Sequence, residues 1–153
     1  MGFSILLAII LVYGASVDSL WFFIPDRTSA ALALSGCIAT QVLTPNELKI
    51  NILAALTIGL GLLAFSKLYV LLRNRTGLGL GDIKLLASSS LWLGFQGVPS
   101  AIFLGSVIGI AMMIGTSVGR KKLTFHTRLP FGPPLSLGIW ITWLFGPVIF
   151  IWS

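Results

Sequence analysis

This sequence predicts an all-α membrane protein: a bundle of about six transmembrane helices with both termini on the non-cytoplasmic side. Three observations carry that expectation. Of the 153 residues, 56% are hydrophobic and only 9% are charged, against roughly 25% charged in a soluble domain. The apolar residues fall into runs that approach the roughly 20 residues a helix needs to cross a hydrocarbon core. The cations gather in alternate gaps between those runs, the pattern of the positive-inside rule. A soluble core of this length could not enclose so much apolar surface. The lipid bilayer is therefore the solvent, and residues 1–153 read as a single integral membrane domain.

The expected spans are Gly2–Phe23, Thr28–Leu43, Leu48–Leu72, Asp82–Phe95, Val98–Val118 and Pro133–Trp152. The first has no basic segment before it and further spans after it, so it reads as a retained helix rather than a cleaved signal. The second and fourth are short, and a short helix must thin the bilayer or start below its surface. Arg27 lies between spans one and two, and Arg73 and Arg75 between three and four, with Lys84 just beyond. Arg120, Lys121, Lys122 and Arg128 lie between five and six. The remaining gaps hold only Lys49, beside Glu47. Lys67, inside span three, snorkels toward the Arg73 end. The odd-numbered gaps thus face the cytoplasm, as expected of a multi-pass protein of the inner (cytoplasmic) membrane. Trp21 and Trp152 suit the inner and outer interface belts.

Several function classes drop out. The net charge of +6 does not point to nucleic acid, because the cations form no stripe interleaved with stacking aromatics. The single cysteine, Cys37, allows no disulfide within the chain and no CxxC zinc pair. It reads as a small buried or lipid-facing residue. His126, the one histidine, has no second ligand near it in sequence and reads as a polar loop residue. No metal and no cofactor are expected. The glycine run at 77–81 is followed by no Gly-Lys-Ser/Thr, so it is not a phosphate loop.

Only four residues are acidic: Asp18, Asp26, Glu47 and Asp82. Glu47 alone falls on the outer side, as a solvated or helix-start charge. Asp18 lies in an apolar helix, expected about two turns, roughly 10 Å, from an end set by Pro25. A carboxylate there costs a few kcal/mol on insertion scales, roughly 2.5–3.5 at the helix centre. A polar contact to a neighbouring helix would explain it. Asp82 opens span four, where an N-cap role worth about 1 kcal/mol would explain it alone. Taken together, the two acids lie at one membrane depth on oppositely running helices. Two facing carboxyls share one proton, since both cannot ionise cheaply at close range. One then takes a proton from water while the other protonates a peptide carbonyl, which is aspartyl proteolysis. Gly77, Gly79 and Gly81, without side chains, would let an extended substrate backbone approach.

The segment "GLGLGDIKLLA" resembles the GxGDxKL motif of the type IV prepilin peptidases. "DSLWFFIPD" is similar to that family's first aspartate motif, and "LPFGPPLSLG" to the stretch before its last helix. The resemblance runs in order along nearly the whole chain. It implies a GxGD intramembrane aspartyl endopeptidase that removes the basic leader from type IV pilin-like precursors at the cytoplasmic face. Catalytic Asp18 and Asp82 are implied, with Asp26 a motif residue that starts span two as a cap. Gly79, Gly81, Lys84, Pro130, Phe131 and Gly132 are the implied substrate-binding residues. For Lys84, lipid phosphate, substrate and simple snorkelling stand open. For Pro130 to Gly132, a plain helix-start turn competes with a substrate entrance. The implied partners are prepilin-like protein substrates and the bilayer, with no nucleic acid. Many bacterial members carry an extra domain with paired CxxC motifs and an N-methylation activity. The chain resembles the short, peptidase-only form, which implies no methyltransferase activity. Presenilin-type proteases share the Gly-Leu-Gly-Asp tetrapeptide, but the Ile-Pro-Asp and the continuation after Asp82 favour the prepilin group. The alternative is a non-enzymatic small transporter or proton-conducting subunit that uses buried Asp18.

Overall fold

The computed structural model describes residues 2–73, 78–119 and 130–147, and every regular element among them is helical. Arg75, Gly77, Arg120 to Arg128 with His126, and Trp152 lie outside the described residues. Among the described residues, three helical stretches are long and apolar enough to cross a membrane: Gly2–Trp21, Pro45–Arg73 and Leu80–Gly115.

Helix α1 spans Gly2–Trp21 and buries Leu7, Leu11, Gly14 and Asp18. Their spacing of three and four residues forms one stripe along the helix. The helix ends before the expected Phe23. Phe22 takes a left-handed conformation (φ 52°), and its N–H bonds the Asp18 carbonyl at 2.9 Å. A left-handed residue closes a helix from the C-terminal side, ahead of any effect of Pro25. Asp18 therefore sits in the last turn of α1, not two turns inside.

Helix α2 spans Asp26–Leu43 and follows Pro25 at its N-cap. A 3-10 turn, Pro45–Glu47, leads into α3, Leu48–Arg73. Helix α4 runs from Leu80 to Gly119 and is broken at Gly94, whose φ of 66° and ψ of −175° are not helical. The expected spans 82–95 and 98–118 are its two limbs. Asp82 is not the cap of this helix, because the helix starts at Leu80 and places Asp82 within its first turn. Helix α5 spans Gly132–Phe145 and stops well before Trp152, at Gly146 with φ 82°.

The break at Gly94 has an identifiable consequence. The break lies between the Leu91 carbonyl and Phe95, whose amide would be its partner in an unbroken helix, and a buried carbonyl beside such a break calls on other donors. Thr40 Oγ1 donates to that oxygen at 2.6 Å and Asn51 Nδ2 at 3.4 Å. One backbone carbonyl thereby ties α2 and α3 to α4. Nearby, Trp92 Nε1 donates to the Leu32 carbonyl at 2.9 Å, and the Trp92 and Trp143 rings meet edge to face at 5.2 Å.

Where the second limb of α4 crosses α5, glycines set the distance. A Cβ on Gly138 would run into the Ala101 carbonyl oxygen, and one on Gly105 would lie 3.0 Å from Leu135 Cα. Small residues let helix backbones approach closely inside a bilayer. The buried side chains Leu7, Leu32, Leu86, Leu135 and Ile139 fill the centre of the bundle. Outside it, large apolar side chains such as Leu34, Leu60 and Leu71 stand exposed, the last at 78%. Such a surface suits hydrocarbon rather than water.

Candidate catalytic site

The end of α1, the start of α2 and the first turns of α4 and α5 converge, and the two singled-out carboxylates lie there. Asp18 is buried, with 7% of its surface exposed. Its Oδ2 accepts a 2.9 Å hydrogen bond from the backbone N–H of Gly132, in the first turn of α5. That amide is one of the donors a helix start leaves unpaired within the helix. Position 132 admits no side chain, since a Cβ would lie 2.5 Å from Asp18 Oδ2 and 2.8 Å from its Cγ.

Asp82 is half-buried in the first turn of α4. Gly79 sits against it, where a Cβ would come 3.3 Å from Asp82 Oδ2. The turn before α4 is pinned to α3 by Ser66 Oγ, which donates to the Leu78 carbonyl at 3.2 Å. Asp18 and Asp82 lie within electrostatic range of each other. Two carboxyls share a proton when they face each other at close range.

The glycines before Asp82 have local reasons of their own. Gly81 packs on the buried Ile24, in the turn between α1 and α2, and a Cβ there would approach Ile24 Cβ at 3.1 Å. This contact lays the start of α4 on the chain that follows Asp18. Asp26 is the first residue of α2 and not its N-cap, a position that Pro25 takes. The expected cap role therefore falls away, and the carboxylate is engaged instead by Lys84, whose Nζ donates to Asp26 Oδ1 at 2.6 Å. Lys84, expected at substrate or lipid, is thus held in an ion pair.

Pro130, Phe131 and Gly132 form the approach to α5. Phe131 packs against the core and Gly132 is buried against Asp18. Two apolar grooves flank this segment. One, of about 340 Å³, runs between α1 and α5 past Ala15, Ser19, Pro133 and Trp140. The other, of about 420 Å³, is lined by Ser19, Gly109, Pro130 and Phe131. Asp18 and Asp82 line neither groove, nor a recess of about 620 Å³ by Glu47, Asn51 and Gln96. Among the described residues no cluster of three or more His, Cys, Asp or Glu side chains could hold a metal ion.

Sequence reasoning missed two partnerships: Gly132 with Asp18, and Lys84 with Asp26. It also missed Asn51 as the group that answers the Gly94 break. A buried asparagine early in an apolar run is a signal that could have flagged it.

The chain matches the family model described as "Type IV leader peptidase family" over residues 5–114. It is 31% identical over 137 residues to a prepilin leader peptidase/N-methyltransferase of Burkholderia pseudomallei, covering 90% of this chain and 44% of that one. A protein of the same name from Dichelobacter nodosus is 29% identical over 149 residues, covering 97% and 50%. The leader peptidase HopD of Escherichia coli is 32% identical over 137 residues, covering 89% and 88%. The chain spans about half the length of the two N-methyltransferase relatives and most of the third. No solved structure matches it.

Proposed function

Because the chain belongs to the type IV leader peptidase family, we propose that it is an intramembrane aspartic endopeptidase cleaving the basic leader from type IV pilin-like precursors. The observation that supports this reading is that Asp18, in the last turn of α1, and Asp82, in the first turn of α4, come from separate helices and lie within electrostatic range of each other. Cleavage occurs at the cytoplasmic face of the inner membrane, in a bundle of about six crossings with both termini outside.

Chemically, the pair works with one proton between two carboxyls. The ionised member takes a proton from a water molecule as that water attacks the scissile carbonyl. The protonated member gives its proton to the carbonyl oxygen, so a tetrahedral diol forms without free hydroxide. On collapse the dyad's proton, the one taken from water, passes to the amide nitrogen, the C–N bond breaks, and a diol hydroxyl gives its proton back to the dyad as the new carboxyl forms, so the pair again holds one proton. The Gly132 amide holds one oxygen of Asp18 in place, leaving the other for water. The apolar part of the substrate is kept in the bilayer, and the grooves beside Pro133 suit its approach. The prepilin substrate is drawn from the names of the relatives.

Membranes containing the protein, incubated with a pilin-like precursor, should yield the shortened product. Asp18→Asn and Asp82→Asn should each abolish it while the protein still inserts. Normal cleavage by either variant would remove the dyad from the mechanism. Uncleaved precursor with the wild-type protein would favour the non-enzymatic alternative.

A further inference from the structure

We infer that the Asp26–Lys84 ion pair is a positioning clasp for the dyad, so that Asp26 and Lys84 act through Asp18 and Asp82 rather than on the substrate. The inference rests on the proposed dyad chemistry. Asp26 is the first residue of α2, eight positions after Asp18 across the turn that ends α1. Lys84 lies two positions after Asp82 in α4. The 2.6 Å contact therefore joins the segments that carry the two acids, a short distance along the chain from each.

Its geometry constrains the first turn of α4 in a specific way. Residues two apart on a helix are about 200° apart around its axis, so Lys84 and Asp82 leave nearly opposite faces. Tethering Lys84 on one face sets the rotation that aims Asp82 on the other. Beneath the pair, Ile24 is buried against Gly81, so an apolar contact and an ionic contact close the same junction. The two side chains remain 50% and 72% exposed. An exposed pair of this kind contributes little to global stability. Its consequence is therefore expected in catalytic geometry, where a misplacement of about 1 Å costs on the order of 100-fold.

The test measures kcat, KM and thermal midpoint for Asp26→Asn, Lys84→Met and the charge-swapped double variant Asp26→Lys with Lys84→Asp. Each single variant should lower kcat by about 10-fold to 100-fold. KM should stay within about twofold, and the midpoint should barely move, as befits an exposed pair. The swapped pair should recover most of the lost kcat, the sign of direct coupling between two sites. Three results would overturn the clasp: single variants with wild-type kcat, a loss confined to KM, or a swapped pair as slow as the singles. A loss confined to KM would assign Lys84 to the substrate. If the wild-type protein itself fails to cleave precursor, it is the protease reading that fails. The clasp is then judged by disulfide crosslinking between Ile24→Cys and Gly81→Cys, which the single variants should lose and the swapped pair should restore.

Discussion

Gly132 donates its backbone N–H to Asp18 Oδ2 across 2.9 Å, joining the first turn of α5 to the last turn of α1. The contact is buried and leaves no room for a β-carbon. It gives the Pro-Phe-Gly-Pro segment a task that a substrate entrance would not require. Gly132→Ala should push the Asp18 carboxyl from its place and lower kcat/KM by about 100-fold. A cleavage assay on protein recovered from membranes reads this directly; a variant with wild-type kcat/KM would show that the contact does not orient Asp18.

The dyad should behave as one unit. Asp18→Asn and Asp82→Asn should each lower kcat on the order of 10⁴-fold, and the double variant should be no slower than the slower single. Single-turnover cleavage with saturating precursor measures all three. Multiplying losses would mean that the two acids act in independent steps.

One proton shared by two carboxyls makes the rate depend on pH in both directions. At low pH both acids are protonated and no base remains. At high pH both are ionised and no proton donor remains. The profile of kcat/KM should therefore be bell-shaped. A flat profile over the range where the protein stays folded would count against the shared proton.

Gly94 adopts a backbone conformation that is open almost only to glycine, and a Cβ there would also press on Asn51 Oδ1 at 3.2 Å. Gly94→Ala should destabilise the fold by about 1–3 kcal/mol. Thr40→Val, which removes the 2.6 Å bond to the Leu91 carbonyl, should cost about 1 kcal/mol. Thermal unfolding in detergent measures both, and unchanged midpoints would show that the break is held by other contacts.

Gly138 meets the backbone of α4 rather than a side chain that could turn aside. Gly138→Val should therefore separate α4 from α5 and cost at least about 1–3 kcal/mol. The same unfolding measurement checks it; a variant as stable as the wild type would mean that this crossing is loose.

The sequence by itself determined the solvent, the helical class and the residues worth testing. Hydrocarbon selects long apolar runs, and a carboxylate that survives among them has to have a reason, so Asp18 and Asp82 were legible from composition and neighbours alone. The approximate helices were legible too, because apolar runs and breakers are local signals. Their ends were less so: Phe22 stops α1 through its own left-handed backbone, and α4 starts before Asp82. The partners were decided only in three dimensions. Gly132 is 114 residues from Asp18, and Lys84 is 58 from Asp26. Nothing in the local sequence states that one amide lacks an intrahelical acceptor and that one buried carboxylate waits for it. Only packing brings such groups together, and it does so through glycines whose need is visible once the opposing backbone is in place.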